Sequence, residues 1–196
     1  MAYKVLNNVS VKDVTSSDLL SLKTDLLVIV INKNTKDKVV NQLAKDVSSH
    51  LKESGSSVLV PNAKSFNAKN VLLVKGFQDS DQIHKLISMY QSIAQKGNQL
   101  KAKDISIMPG TVYPKGKCEM WLIEMVAKTI ESNVYIFSET CNKTAKKPSV
   151  KKLNILVSSL TKSDLMKAKN AAKKGYAIGE GVNSAKYLGD LPANHC

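Results

Sequence analysis

The sequence predicts an α/β domain with a mixed sheet flanked by helices, and three observations carry this prediction. Short runs of aliphatic and β-branched residues alternate with longer segments of helical periodicity. The run Asp25–Ile31 is apolar throughout after its first residue, which is typical of a strand covered on both faces. A final helical segment of roughly 26 residues follows the last predicted strand, and its length suits a spacer between domains.

Seven segments are predicted as strands from their β-rich composition and from the turn residues that bound them. In a chain where such runs alternate with helices, they belong to a largely parallel or mixed sheet. The predicted strands are Tyr3–Leu6, Asp25–Ile31, Val58–Val60, Asn70–Phe77, Asp104–Met108, Asn133–Phe137 and Leu153–Val157.

Four helices are predicted from apolar residues that recur at three- and four-residue intervals. They are Lys38–Lys52, a helix from Asp79 or Asp81 to near Gly97, Lys117–Ile130, and a helix from Thr161 to about Leu188. Thr161 and Asp164 have the spacing of a capping box at the start of the last helix. One narrow face of that helix is predicted to allow the close approach of another backbone: Leu165, Ala168, Ala172, Gly175, Gly179 and Val182.

The chain is strongly basic, with a formal net charge of +13, and all of its 29 basic residues are lysine. Lysine neutralises phosphates without reading bases, because it lacks the planar fork of arginine. The densest cluster is a candidate non-specific nucleic-acid patch: Lys143, Lys146, Lys147, Lys151 and Lys152. The lysines of the last helix, Lys167, Lys169, Lys173 and Lys174, would extend it. The alternative is an ordinary solvated loop and helix face.

No catalytic or metal-binding residue is predicted in this chain. Three cysteines without a Cys-x-x-Cys pair argue against a disulfide framework and a zinc ribbon: Cys118, Cys141 and Cys196. Three histidines are widely separated and form no His-Glu-x-x-His pattern: His50, His84 and His195. The turns after the strands offer only Gly76 and Gly110, so a glycine-rich phosphate loop is not indicated.

The sequence also favours a cytoplasmic protein. No apolar run approaches the roughly 18 residues that a membrane span needs. The start, Met1-Ala2-Tyr3-Lys4, lacks the charged and then apolar pattern of a secretory signal.

The C-terminal run AIGEGVNSAKYLGDLPANHC resembles the segment that leads into the catalytic domain of the leucyl (cytosol) aminopeptidase family. The matching residues are Ala185, Lys186, Leu188, Pro192 and Asn194. The run NVLLVKGF, residues 70–77, is similar to that family's strand ending Val-Gly-x-Gly, although Lys75 and Phe77 depart from its glycines.

The resemblance implies the N-terminal domain of a bacterial leucyl aminopeptidase, with a macro-domain-like fold and a long interdomain helix. The expected division is an N-terminal domain at residues 1–158 and, at 159–196, a linker helix with the start of a missing catalytic domain. The parent enzyme would be a metalloprotease, a hydrolase that releases N-terminal residues, preferentially leucine, from peptides with two manganese or zinc ions. It would form a hexamer, and its metal ligands would lie outside this chain, so the isolated chain is expected to be inactive. The alternative is a lysine-rich, non-specific DNA-binding module.

Overall fold

The computed structural model describes residues 5–31, 53, 55–77, 83–110, 113–138, 147–158 and 160–191. Six strands form one mixed sheet in the order β1-β6-β5-β2-β4-β3. All neighbours are parallel except the pair of β3 with β4 at one edge. The predicted α/β architecture with a mixed sheet is therefore confirmed.

Strands and helices alternate along much of the described chain, although the sequence pattern predicts neither the first strand nor the first helix. The strands are β1 Asn8–Asp13, β2 Leu26–Ile31, β3 Ser57–Pro61, β4 Asn70–Lys75, β5 Asp104–Met108 and β6 Lys152–Val157. The described helices are α1 Ser16–Ser21, α2 Ile83–Gln99, α3 Glu119–Val134 and α4 Lys162–Asp190.

β2 lies inside the sheet between β5 and β4, which explains its unbroken apolar sequence. Leu26, Val28 and Val30 face a core shared with α2 and α3, and Leu27 and Ile29 face a second core on the other side of the sheet. Leu26 to Ile29 are fully buried. A strand with both faces covered has no polar side to alternate, so its sequence reads as a continuous apolar run.

Over β1, β6 and β5, the second face of the sheet carries a ladder of polar side chains. Ser10 Oγ donates to Asn154 Oδ1 at 2.8 Å, and Asn154 Nδ2 donates to Ser106 Oγ at 3.0 Å. Ser106 Oγ donates in turn to Thr24 Oγ1 at 3.1 Å. Ser106 and Thr24 are buried, and the ladder pairs their hydroxyl groups, so burying them carries no large penalty.

The long helix α4 packs on α3, and two glycines permit the approach. A Cβ added at Gly175 would lie 2.0 Å from the carbonyl oxygen of Glu124, and one at Gly179 would lie 2.7 Å from Cβ of Glu131. The small-residue face predicted from the sequence is therefore confirmed, and the backbone that approaches it is that of α3. Farther along, the phenol of Tyr135 donates to Asp190 at 2.9 Å, so α4 follows the domain to its last turn.

Thr161 caps α4 as its spacing predicts. Its hydroxyl oxygen accepts a hydrogen bond from the backbone N–H of Asp164 at 3.1 Å, which satisfies one of the first free N–H groups of the helix. The helix contains 29 residues, or about 44 Å at the usual rise. Searched through the described residues, no helix combines the length and the apolar character that a membrane span needs.

Two strand predictions are wrong. Of the strand predicted at Tyr3–Leu6, Val5 and Leu6 are not in a strand, because their N–H groups bond to the Glu131 carboxylate; the first two residues of that range lie outside the described residues, and β1 begins at Asn8. The strand predicted at Asn133–Phe137 is the last turn of α3 followed by residues without regular structure. Ile130 and Val134 are both fully buried one turn apart, so helical packing prevails over the β-propensity of this run.

Several boundaries differ by a few residues. α2 continues past Gly97 to Gln99, and α3 runs from Glu119 to Val134 instead of from Lys117 to Ile130. The predicted helix Lys38–Lys52 and the predicted caps Asp79 and Asp81 lie outside the described residues.

Candidate functional site

The part of the chain that the structure describes contains no group of three or more His, Cys, Asp or Glu side chains that could hold a metal ion. His84 is exposed on α2. His50, His195 and Cys196 lie outside the described residues. The residues described here therefore do not fit the two-metal centre that the family resemblance implies.

The described members of the predicted lysine patch lie at the start of β6. Lys147 and Lys152 are exposed and Lys151 is half-buried, whereas Lys143 and Lys146 are outside the described residues. The backbone N–H groups of Lys151 and Lys152 both donate to the carbonyl oxygen of Lys103, at 2.8 and 3.2 Å. The patch therefore continues onto the turn that precedes β5.

Three further lysines join the same edge of the sheet, and sequence reasoning did not include them. Lys101 and Lys103 precede β5, and Lys69 precedes β4, so all three lie where parallel strands begin. The sequence did contain a signal for this grouping, since a lysine stands directly before each of two predicted strands. Parallel strands start at the same edge of a sheet, so these lysines are expected to lie at one edge. The enlarged set is called the amino-edge lysines: Lys69, Lys101, Lys103, Lys147, Lys151 and Lys152.

Two aspartates temper the positive charge of this edge. The Nζ atom of Lys69 lies 2.6 Å from Asp25 Oδ1. The hydrogen bond that Lys69 donates holds the pKa of the Asp25 carboxyl below its usual range, and a hydrogen bond from the backbone N–H of Lys103 lowers it further. Thr24 Oγ1 donates to the other aspartate, Asp104. The amino edge is therefore basic but not uniformly so.

The lysines of α4 are separate from this set. They follow the carboxyl end of β6, whereas Lys151 and Lys152 stand at its amino end. Two of them are already paired, since Lys167 lies 3.0 Å from Asp164 and Lys174 lies 3.1 Å from Glu124. Later in the helix, Tyr176 donates to the carbonyl oxygen of Leu6, next to Asn7, whose N–H bonds to the carbonyl oxygen of Lys151. That the α4 lysines extend the patch stays a prediction.

The second notable cluster is a buried carboxylate between α3, α4 and the N-terminal segment. Glu131 is fully buried and accepts hydrogen bonds from the N–H groups of Val5 and Leu6 at 2.9 and 3.0 Å. The Nδ2 atom of Asn183 donates both to the same carboxylate, at 2.9 Å, and to the Glu131 carbonyl at 3.0 Å. Glu131 thus ties the chain before β1 to both helices.

Electrostatics around Glu131 are unfavourable to its charge. Burial raises the pKa of its carboxyl, and nearby Glu180 raises it further, while the three N–H donors oppose the shift. Tyr176, on the same helix as Glu180, donates its phenol to the carbonyl oxygen of Leu6 at 2.8 Å. All these bonds are internal to the domain, so the cluster holds the fold together and presents no group to a substrate.

A cleft of about 220 Å³ lies between α2 and the edge formed by β3 and β4. Its floor is apolar, with Leu72, Val74 and Ile93, and its rim carries Ser57 and Lys96. The volume is below the roughly 300 Å³ at which small-molecule pockets usually begin. We assign no ligand to it.

Comparison with known proteins finds similarity to bacterial cytosol aminopeptidases. No family model matches the chain. A probable cytosol aminopeptidase of Vesicomyosocius okutanii is 30% identical over 178 residues, which cover 89% of this chain and 35% of that protein. The cytosol aminopeptidase of Pseudomonas aeruginosa is 26% identical over 191 residues, which cover 90% of this chain and 37% of that protein. A probable cytosol aminopeptidase of Azotobacter vinelandii is 27% identical over 197 residues.

The chain is thus related to cytosol aminopeptidases over about nine tenths of its own length. The family resemblance drawn from its C-terminal motif is thereby confirmed along most of its length. The chain spans between about a third and two fifths of the length of these aminopeptidases.

A solved structure shares the fold of this chain. A mutant of tomato leucine aminopeptidase superimposes with a TM-score of 0.67 at 18% sequence identity, covering 100% of this chain and 40% of that one. At that identity the likeness establishes the fold only. It extends over the whole chain, including α4.

Proposed function

We propose that this chain is the non-catalytic N-terminal domain of a bacterial leucyl aminopeptidase. The observation that carries the proposal is that bacterial cytosol aminopeptidases match about nine tenths of this chain with only 35–39% of their own length. The residues described here include no metal-binding group. The chemistry of the parent enzyme would accordingly come from its remaining part.

In the parent enzyme, two divalent ions, manganese or zinc, would polarise the scissile carbonyl and activate water to release N-terminal residues, preferentially leucine. This chain would contribute a rigid body to a hexamer and would border access to the active sites. The packing of α4 on α3 through Gly175 and Gly179 supports such a role, because it leaves little freedom between helix and domain. The division at residues 158 and 159 and a cytoplasmic location belong to the same proposal.

The experiment that tests this function measures turnover of a leucine amide reporter with manganese or zinc added. The 196-residue chain is assayed beside the protein encoded by the complete reading frame that contains it. Turnover by the longer protein alone is the expected result. Turnover by the 196-residue chain, or by neither protein, contradicts the proposal.

A second candidate is non-specific binding of duplex DNA. It is favoured by the amino-edge lysines, which the sheet gathers from three separate segments of the chain. Lysines that neutralise phosphates release counterions, so the affinity would fall by about 0.9 logarithmic units per contact for each tenfold rise in salt.

Fluorescence anisotropy with a labelled duplex tests this candidate. We expect the variant with Lys101, Lys103, Lys151 and Lys152 all changed to glutamate to lose affinity and to flatten the salt dependence. The matched control changes Lys162, Lys167, Lys169 and Lys173 of α4 to glutamate, which removes the same charge from another surface. Equal losses in the two variants would mean that only net charge matters and that the amino edge is not an interface.

A further inference from the structure

Helix α4 carries a second face of small and apolar residues, on the side turned away from α3. Ala177, Gly181 and Ala185 recur every four residues, and Ile178 and Leu188 flank them at helical spacing. All five are exposed, Leu188 at 63%. A Cβ added at Gly181 would meet no atom within 4 Å. These five residues are called the outer face of α4.

The inner face of the same helix indicates what such a pattern does. Ala168, Ala172, Gly175 and Gly179 also recur at three- and four-residue intervals, and all are buried. They allow α4 to approach α3 so closely that a Cβ at Gly175 would overlap a backbone carbonyl. The outer face repeats this spacing and is open, so it is shaped to receive a second helix.

Charge is absent from the outer face, although the chain as a whole is strongly basic. The first half of α4 carries five lysines, Lys162, Lys167, Lys169, Lys173 and Lys174. In the second half, the charged side chains turn toward the domain. Lys186 Nζ donates to the carbonyl oxygen of Ser132, and Asp190 accepts from Tyr135. An exposed, uncharged stretch with large apolar residues at Ile178 and Leu188 is typical of an interaction site.

Size and charge decide which partner fits. A stable complex between free proteins buries about 800 Å² on each side and engages 20 or more residues, far more than five residues of which three are glycine or alanine can supply. A second copy of this chain would also bring a net charge of +13 against another +13. A segment of the same polypeptide needs much less area, because its effective concentration is set by the connection and not by diffusion.

We propose that the outer face of α4 docks a helix of the polypeptide segment that cytosol aminopeptidases carry outside the matched third. The relatives supply the length for such a partner, since the matched region is only 35% of the Vesicomyosocius okutanii protein. This inference rests on the proposed function, because it requires the chain to be part of a longer aminopeptidase. In it, α4 is sandwiched, with α3 on one side and the second segment on the other.

Cysteine labelling tests the docking directly. In a background with Cys118, Cys141 and Cys196 replaced by serine, Ile178→Cys and Leu188→Cys report on the outer face. Met166→Cys is the matched control, because Met166 is 67% exposed on the first half of the same helix. The maleimide reaction rate is measured for each variant in the 196-residue chain and in the protein from the complete reading frame.

We expect the rates at positions 178 and 188 to fall by about tenfold or more in the longer protein, while the rate at position 166 is unchanged. Equal rates in the two proteins, or a reading frame without a further segment, overturn the proposal. The proposal is also overturned if the maleimide rates at positions 178 and 188 fall in the 196-residue chain alone as its concentration is raised and its mass in solution increases. That result would identify a second copy as the partner. Labelling does not depend on turnover. A longer protein that is protected at positions 178 and 188 but is inactive would therefore contradict the proposed activity and still support the docking.

Discussion

Glu131 and Asp25 are two carboxylates in opposite surroundings, and the difference shows how this domain handles charge. Glu131 is buried between α3 and α4 and is held only by neutral N–H donors, so the pKa of its carboxyl is raised. Asp25 lies at the amino edge beside Lys69, whose hydrogen bond lowers the pKa of the Asp25 carboxyl. Burial works against the charge of Glu131, whereas the charge of Asp25 is stabilised by its partners.

Removing the buried carboxylate should have the largest effect. Glu131→Ala leaves the N–H groups of Val5 and Leu6 without their acceptor inside the protein, and the amide of Asn183 keeps only its bond to the backbone carbonyl of residue 131. Each orphaned donor costs about 1–3 kcal/mol, so we expect a loss of roughly 3–5 kcal/mol in the free energy of unfolding, measured by urea denaturation. A loss below about 1 kcal/mol would show that water replaces the carboxylate and that the cluster is not a structural tie.

Adding a methyl group at the contact between α3 and α4 should have the next largest effect. Alanine is the better helix former, but a Cβ at Gly175 would meet the Glu124 carbonyl at 2.0 Å, so α3 and α4 must move apart. We expect Gly175→Ala to lower the free energy of unfolding by about 2–3 kcal/mol. Gly181→Ala is the matched control on the open face, and it should raise stability by about 0.5–1 kcal/mol. Similar effects at the two positions would contradict the close packing.

The pH dependence of stability should have opposite signs at the two carboxylates. Burial raises the folded-state pKa of Glu131 above its ordinary value of 4.5, so the folded state binds the proton more tightly. Its contribution is complete below pH 4.5 and is lost as the pH rises through the folded pKa. The stability advantage of the wild type over Glu131→Gln should therefore grow as the pH falls toward 4.5.

For Asp25, the hydrogen bond from Lys69 holds the folded-state pKa below its ordinary value of 3.8, so its contribution is present above pH 3.8 and is lost on further acidification. The advantage of the wild type over Asp25→Asn should stay constant at neutral pH and shrink below 3.8. Denaturation midpoints of both variants, followed from pH 7 to pH 3, measure the two trends in one series. Trends of the same sign would show that the surroundings of the two carboxylates do not control them.

The smallest effect is expected at the cation that pairs with Asp25. Lys69 is exposed, and exposed ion pairs stabilise proteins little because water and salt screen them. Lys69→Met should shift the urea midpoint slightly, and less in high salt than in low salt. A shift as large as that of Glu131→Ala would mean that the amino edge is also a structural tie.

Sequence patterning located most elements because periodicity reports local burial. The run Asp104–Met108 and the cap at Thr161 were predicted at the residues where they occur, since each depends on neighbours in the chain. The segment Asn133–Phe137 was misassigned for the complementary reason. Its β-branched and aromatic residues favour a strand, but the burial of Ile130 and Val134 against the rest of the domain holds the helix.

The candidate sites divide in the same way. The lysines around residue 147 were visible as a cluster in the sequence, but Lys69, Lys101 and Lys103 join that edge only through strand register. Glu131 gave no signal at all. Its partners at Val5 and Asn183 are distant in sequence, and a glutamate on an amphipathic helix is by default expected to face water.

By itself, the sequence determined the α/β class, the long capped helix with its small-residue face, and the relationship to cytosol aminopeptidases. These depend on periodicity, local capping and a contiguous motif, all of which are written along the chain. Only the tertiary structure decided that α3 fills the inner face of α4, that Glu131 ties Val5 and Leu6 to the helices, and that a second face of α4 is open. Those depend on which distant segments the sheet order brings within contact distance, and that order is not encoded in any local pattern.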